Sequence, residues 1–375
     1  MSWDNVTLKD VSTDIQTGPF GSQLHQSDYS ENGTPVVMPK DLQDGHVSIA
    51  SIARVDKDHV ERLSKHKIKP GDILYSRRGD VGRCAFATMR ESDWLCGTGC
   101  LRVTINPNMA NPKFIFYQLQ KPETIGWVEK HAVGATMLNL NTTILGNIPL
   151  SLPPLSIQNQ IADYISAYDD LIENNRRQIK LLEEAARRLY REWFVDFRFP
   201  GHEQVKIVDG VPEGWKKVKL SEIVEVRYGK DHKSIPDGDI PVYGSGGLMR
   251  YCAKSIYEGE SVLIPRKGTL NNILYVDEPF WTVDTMFYTI LKMQNIGIYI
   301  FQFLSTFDFY SMNTGAAVPS TTAETLKNME TILPDIKILK CFDCFAKNIY
   351  NKTSNLQKGC TQLSNARDML LYKML

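Results

Sequence analysis

The fold of this chain is decided by residues 156–199, which read SIQNQIADYISAYDDLIENNRRQIKLLEEAARRLYREWFVDFRF. Past the first turn, apolar or small side chains recur at alternating spacings of three and four residues, with one polar member. These positions are Ile157, Ile161, Ile165, Tyr168, Ile172, Asn175, Ile179, Leu182, Ala186, Leu189 and Trp193. A 3.5-residue repeat sustained over about four heptads is typical of a coiled-coil seam. The stretch therefore predicts one long helix that needs a partner helix.

The residues around this stretch set the expected limits of the helix. Pro153 and Pro154 favour an extended entry, Ser156 is a candidate cap, and Pro200 ends the helix near Phe199. The alternative is a helix that packs on its own globular segment. Four heptads, however, are longer than such a segment can cover. Asn175 either fixes the register of the seam or faces solvent or a polar neighbour.

Length and composition exclude several classes of protein. The 375 residues suit two or three domains, and 43 basic residues balance 43 acidic ones, so bulk charge indicates neither a membrane surface nor a nucleic acid. No apolar run approaches the roughly 18 residues of a spanning helix, and the start lacks a signal pattern. We therefore expect a cytoplasmic protein. The seven cysteines are scattered; Cys341 and Cys344 lack a second metal-ligand pair, which favours packed thiols over a metal site.

Two mixed segments flank the long helix. Gly71–Tyr75 and Leu101–Ile105 read as strands, and Asn111–Gln120 reads as a helix with an asparagine cap. The predicted domains are a first globular lobe at 1–150, a central helix at 151–200, a second lobe at 201–332 and a C-terminal helix at 333–375.

The two halves of the chain repeat each other. Matching pairs are Trp3-x-x-Val6-x-Leu8 with Trp215-x-x-Val218-x-Leu220, Arg77-Arg78-Gly79 with Arg266-Lys267-Gly268, Gly134-Ala135 with Gly315-Ala316, and Leu152-Pro153 with Leu333-Pro334. The last two pairs share an offset of 181 residues, which places a second seam in the C-terminal helix. Its predicted positions are Phe345, Ile349, Leu356, Leu363, Leu370 and Met374.

Two long helices in one chain most simply bury their seams by packing antiparallel. The predicted fold is therefore α+β: two mixed α/β lobes separated by two antiparallel coiled-coil helices, with a pseudo-two-fold internal repeat. About 40 residues at 1.5 Å each give a rod of roughly 60 Å.

With these features, the chain resembles the specificity (S) subunit of Type I restriction-modification enzymes. The resemblance is sharpest over residues 150–220. It is carried by Leu152-Pro-Pro-Leu-Ser-Ile-Gln158, by Leu171-Ile-Glu-Asn-Asn-Arg176-Arg177-Gln, by Leu181-Leu-Glu-Glu-Ala-Ala-Arg-Arg-Leu-Tyr-Arg-Glu-Trp-Phe-Val-Asp-Phe197 and by Pro-Glu-Gly-Trp215. The second spacer departs from the family pattern, because Leu333-Pro334 is followed by neither a second proline nor the glutamine.

The resemblance implies a function without catalysis in this chain. Each lobe is then a target recognition domain that reads half of a bipartite site in double-stranded DNA, and the helices are the spacer. The implied partners are two methyltransferase (M) subunits and, in the holoenzyme, restriction (R) subunits; no membrane is implied. S-adenosylmethionine, ATP and Mg are expected only on those partner subunits.

Motifs for an enzyme are absent from the sequence. It contains no G-x-x-x-x-G-K-[ST] loop and no H-E-x-x-H pair, and Leu152-Pro-Pro-Leu155 lacks the polar and aromatic residues of an amino-methyltransferase site. We identify no catalytic residues and no metal ligands.

DNA reading requires donors for phosphates and polar side chains for base edges. The candidates in the two lobes are Lys65, Lys67, Arg77, Arg78, Arg83, Lys230, Lys233, Arg250, Arg266, Lys267, Asn271 and Asn272. Each one taken alone is also explained as a solvated surface residue. The two paired-basic turns are favoured because the repeat places them at equivalent positions. Residues 201–332 hold 13 basic and 16 acidic residues, so weak DNA affinity of the chain alone is expected.

Three aromatic residues exceed what a two-helix seam needs. Trp193, Phe194 and Phe197 are candidates for docking an M subunit, or alternatively for packing on a neighbouring lobe. On the docking hypothesis, alanine at Trp193 and Phe194 abolishes co-purification with M and leaves the fold intact.

The sequence thus favours a DNA-specificity subunit whose helical spacer acts as a ruler between half-sites. The alternative from another class is a coiled-coil adaptor whose repeated lobes bind proteins. An enzyme fragment is disfavoured by the missing motifs.

Overall fold

The computed structural model describes residues 3–134, 137–312 and 320–375. The chain forms two compact units: Met1–Asn174 with Cys360–Leu375, and Asn175–Gly359. Ala135, Gly315 and Ala316, which belong to one of the matched pairs of the repeat, lie outside the described residues. No described helix is long and apolar enough to cross a membrane.

The first unit contains the first lobe. Its strands are β1 (Asp4–Thr7), β2 (Ser12–Thr17), β3 (Thr34–Val37), β4 (Leu42–Gln43), β5 (His46–Val47), β6 (Ala53–Val55), β7 (Ile73–Ser76), β8 (Cys84–Phe86), β9 (Leu95–Cys96), β10 (Cys100–Ile105) and β11 (Pro149–Leu152). Its shorter helices are α1 (Lys57–Arg62), α2 (Pro112–Leu119), α3 (Pro122–His131) and α4 (Thr142–Gly146). The Asn111 side chain caps α2 by accepting from the amides of Lys113 and Phe114, which confirms the predicted start of that helix.

The second unit contains the second lobe. Its strands are β12 (Ile207–Val208), β13 (Val211–Pro212), β14 (Lys216–Lys219), β15 (Val224–Tyr228), β16 (Ile240–Gly244), β17 (Gly247–Cys252), β18 (Glu260–Pro265), β19 (Leu274–Asp277), β20 (Trp281–Thr282), β21 (Met286–Leu291) and β22 (Glu330–Leu333). Its shorter helices are α6 (Leu220–Ile223), α7 (Gly297–Leu304) and α8 (Ala323–Lys327).

Sheet topology confirms the internal repeat. The four-stranded sheet β2-β10-β7-β8 in the first unit corresponds to β15-β21-β18-β19 in the second. The sheet β6-β3-β9 corresponds to β17-β16-β20, and each contains one parallel pair, β3 with β9 and β16 with β20. The pairs β1-β11 and β14-β22 complete the match. Equivalent strands therefore present equivalent turns at the edges of the two lobes.

Two long helices complete the chain: α5 (Leu155–Tyr190) and α9 (Ile336–Met374), of 36 and 39 residues. In the first unit, Ile172 contacts Cys360 and Asp169 contacts Arg367. In the second unit, the Trp193 ring, just past the end of α5, lies 5.9 Å from that of Phe342. In the first unit the residue numbers of the contacting pairs run in opposite directions, so the two helices are antiparallel there, as predicted.

The helix limits differ from the predicted ones at both ends of α5. The helix begins at Leu155, so Ser156 lies in its first turn. The carbonyl of Pro154 accepts from the amides of Ile157 and Gln158. The α-helix ends at Tyr190 and continues as a π-helical turn at Arg191–Val195. The α-helix ends there because the aromatic residues after Tyr190 pack into the core of the second lobe.

The second seam is also displaced from its predicted positions. The side chain of Phe345 is 54% exposed, whereas Leu339, Phe342, Ala346 and Thr353 are buried. Adding 181 to the seam positions of α5 therefore predicts the wrong buried residues at the N-terminal end of α9. In the first seam Ile157 is exposed as well. Cys344 is exposed, which corrects the expectation of a packed thiol there.

Candidate nucleic-acid interface

The turn after β7 holds Arg77 over an exposed ring. The Arg77 amide donates to the carbonyl of Gly99 at 2.8 Å, and the Arg77 carbonyl accepts from the amide of Leu140 at 2.8 Å. The Arg77 guanidinium carbon lies 5.8 Å from the centroid of the Phe20 ring, a cation–π distance. Phe20 is 55% exposed. The turn therefore fixes an arginine at the surface of the first lobe.

The turn after β18 holds Arg266 in the same way. The Arg266 amide donates to the carbonyl of Thr285 at 2.8 Å, and its carbonyl accepts from the amide of Thr321 at 3.0 Å. Its guanidinium carbon lies 5.6 Å from the centroid of the Tyr228 ring, and Tyr228 is 53% exposed. The repeat therefore extends from the paired-basic sequence to the aromatic partner of its first arginine.

A close approach of two backbones positions each ring. A Cβ on Gly18 would overlap the carbonyl oxygen of Gly97, and a Cβ on Gly229 would overlap that of Val283. The two glycine amides donate to the carbonyls of Cys100 and Met286 respectively. Only glycine permits such an approach, so both lobes use one at the strand end that carries the ring.

The remaining candidates of the first lobe differ in their contacts. Arg78 is exposed beside Arg77, whereas Arg83 is paired with Asp80 at 2.6 Å. Lys65 is exposed, and the half-buried Lys67 accepts a hydrogen bond from Arg102 at its carbonyl. Only Arg77 and Arg78 thus share one turn.

The remaining cations of the second lobe divide into exposed and engaged side chains. Lys230, Lys233 and Lys267 are exposed. The Arg250 guanidinium donates to the carbonyls of His232 and Ile235 and to the Asp237 carboxylate. In the described structure Arg250 therefore shapes a loop.

The two asparagine candidates are likewise engaged within the lobe. The Asn271 amide donates to Asp308 at 2.8 Å and accepts from the amide of Phe309. The first of these bonds holds the pKa of Asp308 below its usual range. Asn272 donates to the carbonyl of Ser245 at 2.9 Å. Both side chains tie the segment that follows the Arg266 turn to neighbouring loops.

The chain was compared with known proteins. The family model described as "Type I restriction modification DNA specificity domain" matches residues 1–184 and 212–368. The chain belongs to this family. The MjaIX specificity subunit of Methanocaldococcus jannaschii is 24% identical over 100% of this chain and 92% of its own length. The HindI specificity subunit of Haemophilus influenzae is 32% identical over 52% of this chain and 41% of its own.

A solved structure agrees with the fold. The crystal structure of a Type I restriction-modification S subunit from M. genitalium superposes with a TM-score of 0.67 at 19% identity, covering 100% of this chain and 96% of that one. The resemblance inferred from the sequence is confirmed, and so is the fold class. The chain is a Type I specificity subunit with two target recognition domains.

Sequence reasoning did not find the rings of this specificity subunit. Phe20 and Tyr228 carry no motif, and their partners are distant in sequence. Further exposed apolar side chains on the second recognition domain were also missed; these are Leu248, Met249, Tyr251 and Tyr310. The local sequence signal is a nearby glycine, Gly18 or Gly229, and with 25 glycines in the chain it does not single out either ring.

The aromatic cluster after α5 packs inside the second unit. Phe194 is 3% exposed, and its ring lies 4.9 Å from that of Tyr299 and 4.8 Å from that of Phe342. Trp193 is buried, and Phe197 is half-buried against Trp215 at 5.7 Å. These contacts support the packing alternative, and they correct the expectation that alanine at these positions leaves the fold intact.

The same cluster also borders a cavity of about 670 Å³. Its lining includes Phe194 and Phe197, and the basic side chains of Arg187 and Arg191. Packing and partner contact are therefore compatible for Phe194 and Phe197, whereas Trp193 does not line the cavity.

One buried histidine lies near the candidate cations of the first recognition domain. Burial, together with the positive charge of Lys65, lowers the pKa of His66 to about 4. His66 is therefore neutral at physiological pH and adds no charge to this surface.

Proposed function

We propose that this chain is the non-catalytic specificity subunit of a Type I restriction-modification system. Each recognition domain reads one half of a bipartite DNA site, and the two long helices set the gap between the halves. The observation that carries the proposal is the arginine fixed over an exposed ring, which recurs at equivalent positions of both domains. A duplicated reading element is what a split DNA site requires.

The partners supply the chemistry and much of the DNA affinity. With 43 basic and 43 acidic residues, the chain has no net positive charge to attract phosphates. Two methyltransferase subunits, and restriction subunits in the holoenzyme, would contribute phosphate contacts and carry S-adenosylmethionine, ATP and Mg. Among the described residues, no cluster of three or more acidic, histidine or cysteine side chains has metal-binding geometry.

The helices serve as the ruler of the system. At 1.5 Å per residue, the 36 residues of α5 measure about 54 Å. Deleting one heptad from both helices, about 10 Å, should change the tolerated gap without altering the half-sites. An unchanged gap in methylation mapping would exclude this role.

The helices also carry candidate surfaces for the methyltransferase subunits. Exposed apolar side chains lie on α5 at Tyr164, Leu171 and Leu181, and on α9 at Met369 and Tyr372. These side chains are the positions on the helices where we propose contact with a protein partner. The cavity at Phe194 and Phe197 adds an apolar floor, and its charged lining residues are Arg187, Arg191 and Glu330.

The proposal is tested with the chain and its neighbouring methyltransferase subunit together. We expect binding to duplex DNA that is selective for sequence and weakens with salt, and methylation of a split motif in the host. Binding without sequence preference and an unmethylated genome would reject it. A coiled-coil adaptor, the alternative function, predicts that second outcome.

A further inference from the structure

The two recognition domains treat one arginine differently from the other cations. Arg77 and Arg266 are held at 5.8 and 5.6 Å from the ring centroids of Phe20 and Tyr228. Arg78 and Lys267, the next residues in each turn, are exposed side chains without an ion pair among the described residues. Each turn therefore offers one cation held against a ring and one exposed cation.

The orientation of the first cation is set by the backbone on both sides. In each domain its amide and its carbonyl are both hydrogen-bonded to neighbouring segments, at 2.8 to 3.0 Å. The residue after it bridges to a second segment, Arg78 to Asn139 and Lys267 to Ser320. A glycine with left-handed φ follows in both turns, Gly79 at 76° and Gly268 at 86°. The arginine therefore starts from a fixed Cα and rests against a ring.

Most donors of the two guanidinium groups remain available. Among the described residues, the Arg77 side chain forms no hydrogen bond, and its Nε is buried without a partner. Arg266 donates once, from Nη1 to the carbonyl of Asp284 at 3.3 Å. A long single bond leaves a second guanidinium nitrogen free to donate outward.

A guanidinium group held in this way suits a target that presents two hydrogen-bond acceptors in one plane. Guanine presents O6 and N7 together in the major groove, and arginine donates to both. A phosphate can also accept two hydrogen bonds from an arginine, but a flexible cation binds it as a point charge, so the exposed Arg78 and Lys267 are sufficient for it.

We propose that Arg77 and Arg266 each read a guanine in the major groove, one in each half-site, with Phe20 and Tyr228 as their supports. Arg78 and Lys267 contact the adjacent phosphates. This inference rests on the proposed function, and it names the base that each domain must find.

The test uses the chain assembled with its methyltransferase subunit and a duplex that carries the motif found by methylation mapping. Each guanine is replaced singly by 7-deazaguanine, which lacks the N7 acceptor and pairs normally. We expect wild-type binding to weaken about 5- to 100-fold at one guanine in each half-site. Arg77→Met, which keeps a long side chain but has no donor, should remove that penalty in one half-site only, and Arg266→Met in the other.

Two sets of variants separate base reading from phosphate contact. Arg78→Ala and Lys267→Ala should weaken binding to all sequences alike and lower the salt slope by about one, with the 7-deazaguanine penalty intact. Phe20→Leu and Tyr228→Leu, which alter exposed rings, should reduce the penalty without changing the salt slope.

Two results would overturn the inference while the proposed function stands: a penalty that persists in Arg77→Met and Arg266→Met, or a loss in these variants that is equal for all sequences. A wild-type complex without any sequence preference would remove the proposed function and this inference with it.

Discussion

One of the contacts that hold the C-terminal part of α9 in the first unit involves a buried carboxylate, that of Asp169. The Tyr117 hydroxyl donates to its Oδ2 at 2.6 Å, and Nη1 of Arg367 donates to its Oδ1 at 3.0 Å. Asp169 is 7% exposed. Replacing Arg367 by alanine leaves this carboxylate buried without its basic partner. We predict that Arg367→Ala loosens the last four turns of α9.

The size of the effect follows from the burial of the pair. Removing one partner of a buried ion pair costs about 3–5 kcal/mol. The Arg367 side chain is 21% exposed, so water partly replaces it, and we take the lower end, about 3 kcal/mol. The double variant Asp169→Leu with Arg367→Met should recover most of this loss, because no charge is then left buried.

Native-state hydrogen exchange of the amides at 360–374 measures this local stability. A loss of about 3 kcal/mol corresponds to exchange faster by roughly 100-fold. The control is Arg188→Ala: Arg188 pairs with Glu184 at 3.2 Å but is 78% exposed, so its loss should cost less than about 0.5 kcal/mol. If Arg367→Ala exchanges no faster than this control, the carboxylate does not anchor the helix.

Three further predictions concern stability. Phe194→Ala should destabilise the second unit by about 3–5 kcal/mol in denaturant unfolding, because it opens a cavity among four buried rings. Gly359→Ala should raise the stability by about 0.5–1 kcal/mol, since the new methyl meets only Asn175 at 3.6 Å, whereas Gly229→Ala, which overlaps a carbonyl oxygen, should lower it. His66 has a folded pKa of about 4, below its unfolded value of 6.5, so the unfolded state binds the proton first and stability should fall as the pH drops from about 6.5 to about 4. His66→Phe should flatten that pH dependence of unfolding.

Periodicity was sufficient to predict α5 and its antiparallel partner, because a seam of 3.5-residue spacing has few structural solutions. It did not predict where the α-helix ends. No proline occurs between Leu155 and Pro200, yet burial of Trp193 and Phe194 in the lobe converts the chain to a π-helical turn at Arg191. Periodicity describes the helix surface, whereas the lobe that captures its end is folded from distant segments.

The candidate site was predictable to the extent that it repeats. Arg77 and Arg266 could be matched because the turns that carry them share a sequence. Their rings could not, since Phe20 lies two residues after its glycine and Tyr228 one residue before its glycine. The two rings reach equivalent arginines from different sequence positions, and only the folded strands reveal the correspondence.

The two recognition domains share one part of this geometry and differ in another. Sheet order, the close glycine approach and the hydrogen bonds around the arginine are common to both domains. The ring residue and the surrounding surface differ between the domains. Phe20 lies in a loop of the first domain, whereas the second domain exposes Leu248 and Met249 on a strand. A common frame fixes where the arginine points, and the variable rim decides what else is contacted. The two half-sites should therefore share the base that the arginine reads and differ at the positions around it.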